Sequence, residues 1–309
     1  MTGRLLSLCE RNFWLFFVLG LGLGLLFPGQ FTRIGPATLP LLALVLFLTY
    51  LKLDIGAFFS LGSRAYHLFY LWLLRFLLLP MLGMLALTAL APQHVLGLAL
   101  MLAIPPAMSS PVLAEVVGGK VETTLFLAVL GHLLSPLSLP LLVGMLGNTM
   151  SVSLPGMARL LALLVLLPFG VAMACRRAVP RVISRTSPYY SAASLSLILV
   201  VLAATVAPHA DVLLAGVRGS VWLLIAESAL LLFLYCYSWL ISSGMPREER
   251  LSVMISGTYL NLTLLVVLTA QFFSAREVLT AVLFVLPVNL ALVPLNLVAR
   301  RLNSTTRRA

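Results

Sequence analysis

Long apolar segments separated by short polar ones run through the whole chain. Because about 20 apolar residues in a helix cross the hydrocarbon core of a bilayer, this pattern predicts ten membrane spans. The apolar runs are continuous rather than alternating, which indicates helices and not the strands of a membrane barrel. The predicted spans have the approximate bounds 12–27, 36–51, 66–90, 95–117, 123–145, 154–174, 190–207, 212–243, 251–273 and 277–298.

The fourth span cannot be a continuous helix, because it contains Pro105, Pro106 and Pro111. Proline has no N–H and biases the residue before it away from helical geometry, so we expect the chain to unwind here. Unwound backbone at membrane depth needs protein partners or a watery cavity. In transporters, broken helices of this kind hold the substrate site. The alternative is a proline kink without function.

The two halves of the chain match weakly at an offset of roughly 150 residues. The break in span four falls opposite the polar segment 256–263 of span nine. Pro136 and Pro140 of span five fall opposite Pro287 and Pro294 of span ten. Five spans per half is an odd number, so the halves would be inverted relative to each other, as in many secondary transporters.

We therefore expect an all-α membrane protein with one transmembrane domain. Residues 1–150 would form the first inverted five-helix repeat and residues 151–309 the second. Discontinuous helices in spans four and nine would cross near the middle of the membrane.

Composition and charge narrow the class of protein. With 61% hydrophobic and 9% charged residues, the chain is too apolar for a soluble domain. The net charge of +11 does not indicate a nucleic-acid partner, because the basic residues lie in short loops between spans. Cys9, Cys175 and Cys236 have no metal-binding or redox spacing. No cleavable signal peptide is evident, since the first apolar run resembles a span.

The distribution of basic residues predicts the orientation in the cell membrane. Only Arg33, Arg159, Arg218 and Arg276 fall on the side opposite the N-terminus, whereas most other basic residues share its side. Basic loops stay in the cytoplasm, so both termini are expected there.

Ionisable residues inside spans are functional candidates by default. Arg75 lies near the middle of span three, and Glu227 lies at a matching depth in span eight. We expect the two to form a buried charge pair near the pseudo-two-fold axis; the alternative is that each snorkels or pairs elsewhere. His132 in span five could titrate near neutral pH, although a role in helix packing is the stronger reading.

Neutral polar residues gather around the two breaks. Any single hydroxyl in a membrane helix usually bonds to its own backbone, but their clustering favours a binding site. No nucleotide-binding loop, metal cluster or nucleophile–base set is present, so an enzyme is not expected. The candidate substrate-binding residues are Ser109, Ser110, Thr258, Asn261, Thr263 and Asn289.

The segment from Pro105 to Val112 and on to Leu133-Leu134-Ser135-Pro136 resembles, without a gap, the bile acid:sodium symporter family. Leu48–Leu53 at the end of span two also looks similar, as does Arg75-Phe76 with Pro80. The resemblance implies a panel of spans one, two, six and seven, and a core that holds substrate and sodium.

The departures from that family concern its sodium sites. By the resemblance, Ser110 and Thr124 match hydroxyl ligands of the first sodium site, and Asn261 matches a residue that faces the substrate. Arg75 stands where relatives carry a Gln of the second site. Ser256 and Leu260 replace a Glu and a Gln, and Pro111 replaces an Asn. We therefore expect Arg75 to act as a tethered substitute cation, without sodium coupling at the second site. Whether a weakened first site still binds sodium is left open.

These observations predict a secondary transporter of a small organic anion that works by alternating access. Helix N-termini that point at the crossing favour an anion there. Coupling to a proton through His132 or Glu227 is a further hypothesis. The alternative from another class is a membrane sensor or scaffold without flux. An arsenite-type exporter is disfavoured because span four has no cysteine and span nine has no glutamate at Ser256. Membrane lipid is the other expected partner, and no cofactor is expected.

Overall fold

A computed structural model describes residues 13–53, 56, 61–62, 64–146, 152–217 and 219–291 of the chain. The described part of the chain is built of helices, and it also contains an isolated β-bridge. The α-helices in chain order are α1 (Phe13–Leu26), α2 (Pro28–Phe31), α3 (Thr38–Leu51), α4 (Arg64–Leu73), α5 (Leu79–Leu90), α6 (Val95–Ala103), α7 (Ser110–Val116), α8 (Val121–Gly144), α9 (Leu154–Ala178), α10 (Pro180–Val206), α11 (Ala210–Val217), α12 (Val221–Ile241), α13 (Arg247–Thr258), α14 (Leu262–Phe272) and α15 (Ala275–Leu290).

Short turns join some of these helices into longer stretches. A 3-10 turn at Thr32–Ala37 connects α2 to α3, and another at Ala207–His209 connects α10 to α11. The π-helical turn Leu74–Leu78 joins α4 to α5. Six helical stretches of the described residues are long and apolar enough to cross a membrane, and α1 and α14 are shorter apolar helices.

The observed helices correct two of the predicted spans. Span seven begins at Pro180 rather than near Tyr190, because Pro180 occupies the first turn of a helix, where its missing N–H is not needed. The predicted span eight was too long. Its first part, α11, continues the preceding helical stretch, and α12 begins only at Val221. The prediction placed this boundary at the polar segment 208–211, but a 3-10 turn carries the helical stretch through that segment, and the stretch ends at Val217, before the polar sequence 218–220.

Several sequence predictions lie outside the described residues. These are Pro294, Cys9, Arg218 and the two chain termini, so the placement of the termini in the cytoplasm stays a prediction.

The chain divides into two compact units. The first takes the described residues of 1–53, 146–219 and 263–279, and the second takes those of 54–145, 220–262 and 280–309. The units interleave along the sequence, so they do not coincide with the predicted halves. The repeat relation between those halves stays a prediction.

In the first unit, α1 packs closely against α10 through glycines. A Cβ at Gly24 would lie 2.5 Å from the Ala203 carbonyl oxygen, and one at Gly20 would lie 2.8 Å from that of Leu199. The opposing atoms belong to the α10 backbone and cannot rotate away. Small residues therefore set the distance between these two helices, as is common for helices in membranes.

In the second unit, a buried carboxylate joins three elements at one end. Glu249 in α13 accepts from Lys120 at 2.7 Å and lies 3.7 Å from the Arg64 guanidinium of α4. The Ser252 hydroxyl donates to the Lys120 carbonyl at 2.9 Å. These contacts fix the start of α13 against the turn that precedes α8.

The glycine contact in the first unit gives a matched test. Replacing Gly24 by Ala places a methyl group against the α10 backbone, and overpacking of this kind destabilises by about 1–3 kcal/mol. Gly22→Ala is the control, because a Cβ there meets nothing within 4 Å. Thermal unfolding in detergent should show a lower melting temperature for Gly24→Ala alone. Equal melting temperatures for the two variants would contradict the close packing of α1 on α10.

Candidate functional site

The two predicted helix breaks are present, and they pair with each other. The chain leaves helical geometry between Ala103 and Ser110, and again between Thr258 and Leu262. The N–H of Ala107 donates to the Tyr259 carbonyl at 2.7 Å, and the N–H of Asn261 donates to the Pro105 carbonyl at 2.9 Å. The result is an antiparallel bridge between Pro106 and Leu260. Each break thus supplies backbone partners that lipid could not supply.

Pairing of the breaks leaves two helix-end carbonyls without their usual partners. The Leu102 carbonyl would normally accept from residue 106, but Pro106 has no N–H. The Gly257 carbonyl would normally accept from Asn261, whose N–H is used by Pro105. Both carbonyls lie at the ends of helices, where the helix dipole is negative.

Arg75 supplies donors to both of these carbonyls. Its Nη1 donates to the Leu102 oxygen at 2.7 Å, and its Nε donates to the Gly257 oxygen at 2.9 Å. Its Nη2 donates to the same Gly257 oxygen. The side chain is 2% exposed, so one buried cation caps both helices that run into the breaks.

The local backbone explains why Arg75 can reach this position. Arg75 lies in the π-helical turn that precedes α5. Pro80 cannot donate to the carbonyl of Phe76, which favours a widened turn at this point. The Phe76 ring packs 4.7 Å from the guanidinium carbon. The Tyr237 hydroxyl donates to the Leu74 carbonyl at 3.2 Å, which ties this turn to α12.

The predicted ion pair between Arg75 and Glu227 is not formed. Both carboxylate oxygens of Glu227 are buried and have no hydrogen-bond partner in the part of the chain that the structure describes. Arg75 instead lies at the level of Ser238, because a Cβ on Gly257 would be 3.0 Å from the Ser238 Cβ and 3.3 Å from the Arg75 Nε. Glu227 precedes Ser238 by three helical turns, roughly 16 Å along the axis of α12. Arg75 and Glu227 have matching positions in their predicted spans, but they do not lie at the same height in the structure.

A second polar contact lies at the break in span nine. The Asn261 Nδ2 atom is 2.9 Å from Nε2 of His132, and the His132 Nδ1 atom is 2.8 Å from the Ala128 carbonyl oxygen. The His132 side chain is fully buried in α8, and Asn261 is half-buried. Two candidates that the sequence places far apart are therefore in direct contact.

The other candidate residues divide into two groups. The hydroxyls of Thr124, Ser256 and Thr258 donate to carbonyls four residues earlier, as hydroxyls in membrane helices commonly do. Ser110 differs, because its buried hydroxyl has no partner among the described residues. Ser109 is exposed.

Among the described residues, the structure shows no hydrogen bond that connects Thr263 or Asn289 to the contacts of Arg75, His132 or Asn261. Thr263 is buried and belongs to the first unit, whereas the breaks belong to the second. The Asn289 amide donates to the Val285 carbonyl of its own helix at 2.7 Å. Their assignment to a substrate site stays a prediction.

The sequence prediction missed the groups that Arg75 contacts. Leu102 and Gly257 act through backbone carbonyls, which no residue type reveals. Ser238 was also missed, although its buried hydroxyl has no partner among the described residues. The glycine at position 257 could have indicated this contact, because a residue without a side chain is needed where α12 and a guanidinium approach this closely.

In the described part of the chain, no group of three or more His, Cys, Asp or Glu residues could hold a metal ion. The site is thus a set of backbone carbonyls and amide, hydroxyl, imidazole and guanidinium groups. Such a set can bind and orient a polar ligand.

Comparisons with known proteins agree with the resemblance predicted from the sequence. Residues 12–292 match the SBF-like CPA transporter family. The chain is 26% identical over 210 residues to sodium/bile acid cotransporter 7 of Danio rerio, which covers 65% of this chain and 62% of that protein. It is 27% identical over 203 residues to the uncharacterized protein YbaS of Bacillus subtilis (strain 168), which covers 62% of this chain and 64% of that protein.

The chain therefore spans somewhat less than two thirds of the length of these curated relatives. A family of transporters is not a family of enzymes, which agrees with the expectation from the sequence. Because the family match extends over most of the chain and the helices are strongly apolar, this protein is a multi-pass membrane protein that belongs to the SBF-like CPA transporter family.

Proposed function

We propose that the protein is a secondary transporter of a small organic anion, and that Arg75 takes the place of a coupling sodium ion. The observation that carries this proposal is the bonding of one buried guanidinium to the helix-end carbonyls of both breaks. The proposal includes ten spans in two inverted repeats, a panel and a core that alternate access, and termini in the cytoplasm of the cell membrane.

The substitution of Arg75 for sodium follows from charge and geometry. Carbonyl oxygens at helix C-termini attract a cation and can replace its water of hydration. In this protein, the Leu102 and Gly257 carbonyls already accept from a fixed positive charge. A sodium ion beside the guanidinium would be repelled strongly at low dielectric, and among the described residues no ion pair brings a carboxylate to Arg75 to offset the charge. Glu227 is three helical turns away along α12.

The preference for an anion follows from the same charge. The carbonyls that Arg75 contacts are dipoles and leave its net positive charge in place. The ion pairs in the described residues use Arg64, Lys120 and Glu249 and do not include Arg75. A buried, uncompensated positive charge raises the local concentration of anions. The Danio rerio relative is named for cotransport of sodium and bile acid; we extend only the organic-anion class to this chain.

Replacement of Arg75 by Gln tests the substitute-cation assignment. The Leu102 and Gly257 carbonyls would lose donors, which costs about 1–3 kcal/mol for each buried group left unpaired. The freed site should then take sodium, and tenfold saturation would restore about 1.4 kcal/mol. We expect the variant to melt at a lower temperature than the wild type, and to melt higher in sodium than in potassium at equal ionic strength.

The wild type and the exposed control Arg33→Gln should melt at the same temperature in both salts. A sodium-specific rise for the wild type would mean that the protein still binds this ion, and would contradict the assignment.

Exchange across a membrane tests transport itself. Protein in liposomes should exchange internal for external organic anion, with taurocholate and a set of smaller carboxylates as probes. Asn261→Leu removes an amide at the break and should slow exchange about tenfold, the effect of losing one hydrogen bond of about 1.4 kcal/mol. Gln271→Leu is the control, because that amide is exposed on α14. Binding of a probe without exchange would favour the sensor and refute the transporter.

A further inference from the structure

The contact between His132 and Asn261 has a defined direction. The Ala128 carbonyl can only accept a hydrogen bond, so the His132 Nδ1 atom, 2.8 Å away, carries a hydrogen. The Asn261 Nδ2 atom, 2.9 Å from the His132 Nε2 atom, is a donor, so Nε2 must be the acceptor. The structure therefore assigns a neutral imidazole in the Nδ1–H form, which fixes the orientation of the Asn261 amide.

Protonation of His132 would reverse this arrangement. A proton that adds to the lone pair of Nε2 makes that atom a donor, which then faces the N–H donors of Asn261. The Asn261 amide must rotate about its Cβ–Cγ bond so that Oδ1 accepts from Nε2–H. The Nδ2 hydrogens then point where Oδ1 had been. The new bond is the N–H bond at Nε2, and the proton is the only reactant.

We propose that His132 and Asn261 form a proton-operated switch that couples binding of the organic anion to binding of a proton. The inference rests on the proposed transport of an organic anion. Without the proton, His132 accepts from one of the two amide hydrogens of Asn261, so the amide cannot offer both to an anion. With the proton, the Asn261 amide offers its N–H groups to a carboxylate or sulfonate, while the imidazolium adds attraction at short range.

The surroundings of His132 make the two binding events depend on each other. The elements packed against α8 include α4, α6, α7, α13 and the π-helical turn. Glu249 on α13 is paired with Lys120, and Arg250 stacks on Trp239 at 3.8 Å. Exposed titratable groups, which do not face the buried imidazole, are Arg64, Tyr66, His67, Tyr70, Glu115, Glu122, Arg247 and Glu248.

The buried titratable groups left on these elements and the adjoining break are Arg75 and Tyr259. Neither can offset an imidazolium, and Arg75 repels it. Arg75 and His132 contact the same short segment of the chain, because Arg75 donates to Gly257 and His132 contacts Asn261. An anion that enters between them supplies the missing negative charge. Protonation without the anion, or anion binding without protonation, is therefore disfavoured.

Nitrogen NMR of histidine-labelled protein in detergent tests the switch without a transport assay. The chain has four histidines, and the signal lost in His132→Gln identifies the residue. We expect the Nδ1–H form at neutral pH, and an imidazolium in Asn261→Asp, whose carboxylate can only accept. An Nε2–H form in the wild type, or a neutral imidazole in Asn261→Asp, would overturn the proposal.

Proton movement in liposomes separates failure of the switch from failure of the transporter. With taurocholate and smaller carboxylates as external probes, no anion inside and a pH dye in the lumen, net uptake by the wild type should carry a proton inward with each anion. His132→Gln should take up the anion more slowly than the wild type, with a flat pH profile and no dye signal. The exposed control His67→Gln should behave as the wild type. Anion flux without protons in the wild type would overturn the switch and leave the transporter standing. Absence of any flux would refute the transporter and, with it, the coupling.

Discussion

The second unit depends on how two broken helices satisfy their backbone in an apolar environment. Prolines remove the donors that the end of α6 would need, and the break after α13 gives its N–H to the other break. The Leu102 and Gly257 carbonyls are left over, and lipid cannot pair them. A single buried guanidinium donates to both. Arg75 is thus required for the structure of the paired breaks, independently of any role in ligand binding.

This requirement shapes what the site can bind. In the proposed transporter, a fixed cation at two helix C-termini takes the place of a mobile cation and leaves a net positive charge beside the breaks. Asn261 and Ser110 lie at the two breaks themselves, and the Ser110 hydroxyl has no partner among the residues that the structure describes. His132 holds the Asn261 amide from the neighbouring helix α8. Under the proposed function, structural support and ligand binding therefore come from the same few residues.

The apolar pattern was enough to predict the helical class, and the prolines were enough to predict the break in span four, because the effect of proline on the backbone is local. The break in span nine contains no proline and was predicted only from the weak match between the two halves. The boundary between spans seven and eight was predicted too early, at the polar segment 208–211, because a 3-10 turn there keeps the helical stretch going to Val217. The partner of Arg75 was predicted wrongly, since matching depth selected Glu227 and ignored carbonyls as acceptors. His132 and Asn261 are 129 residues apart, and only the pairing of the breaks brings them together. Contacts of this kind depend on tertiary packing and leave no local signature.

The central claim is that Arg75 has replaced a coupling sodium ion in an organic-anion transporter. The most direct measurement is the initial rate of organic-anion uptake into proteoliposomes as sodium replaces choline at constant ionic strength. A rate that does not change with sodium is the predicted result. A rate that rises and saturates with sodium would show that the ion is bound and used, and would contradict the account.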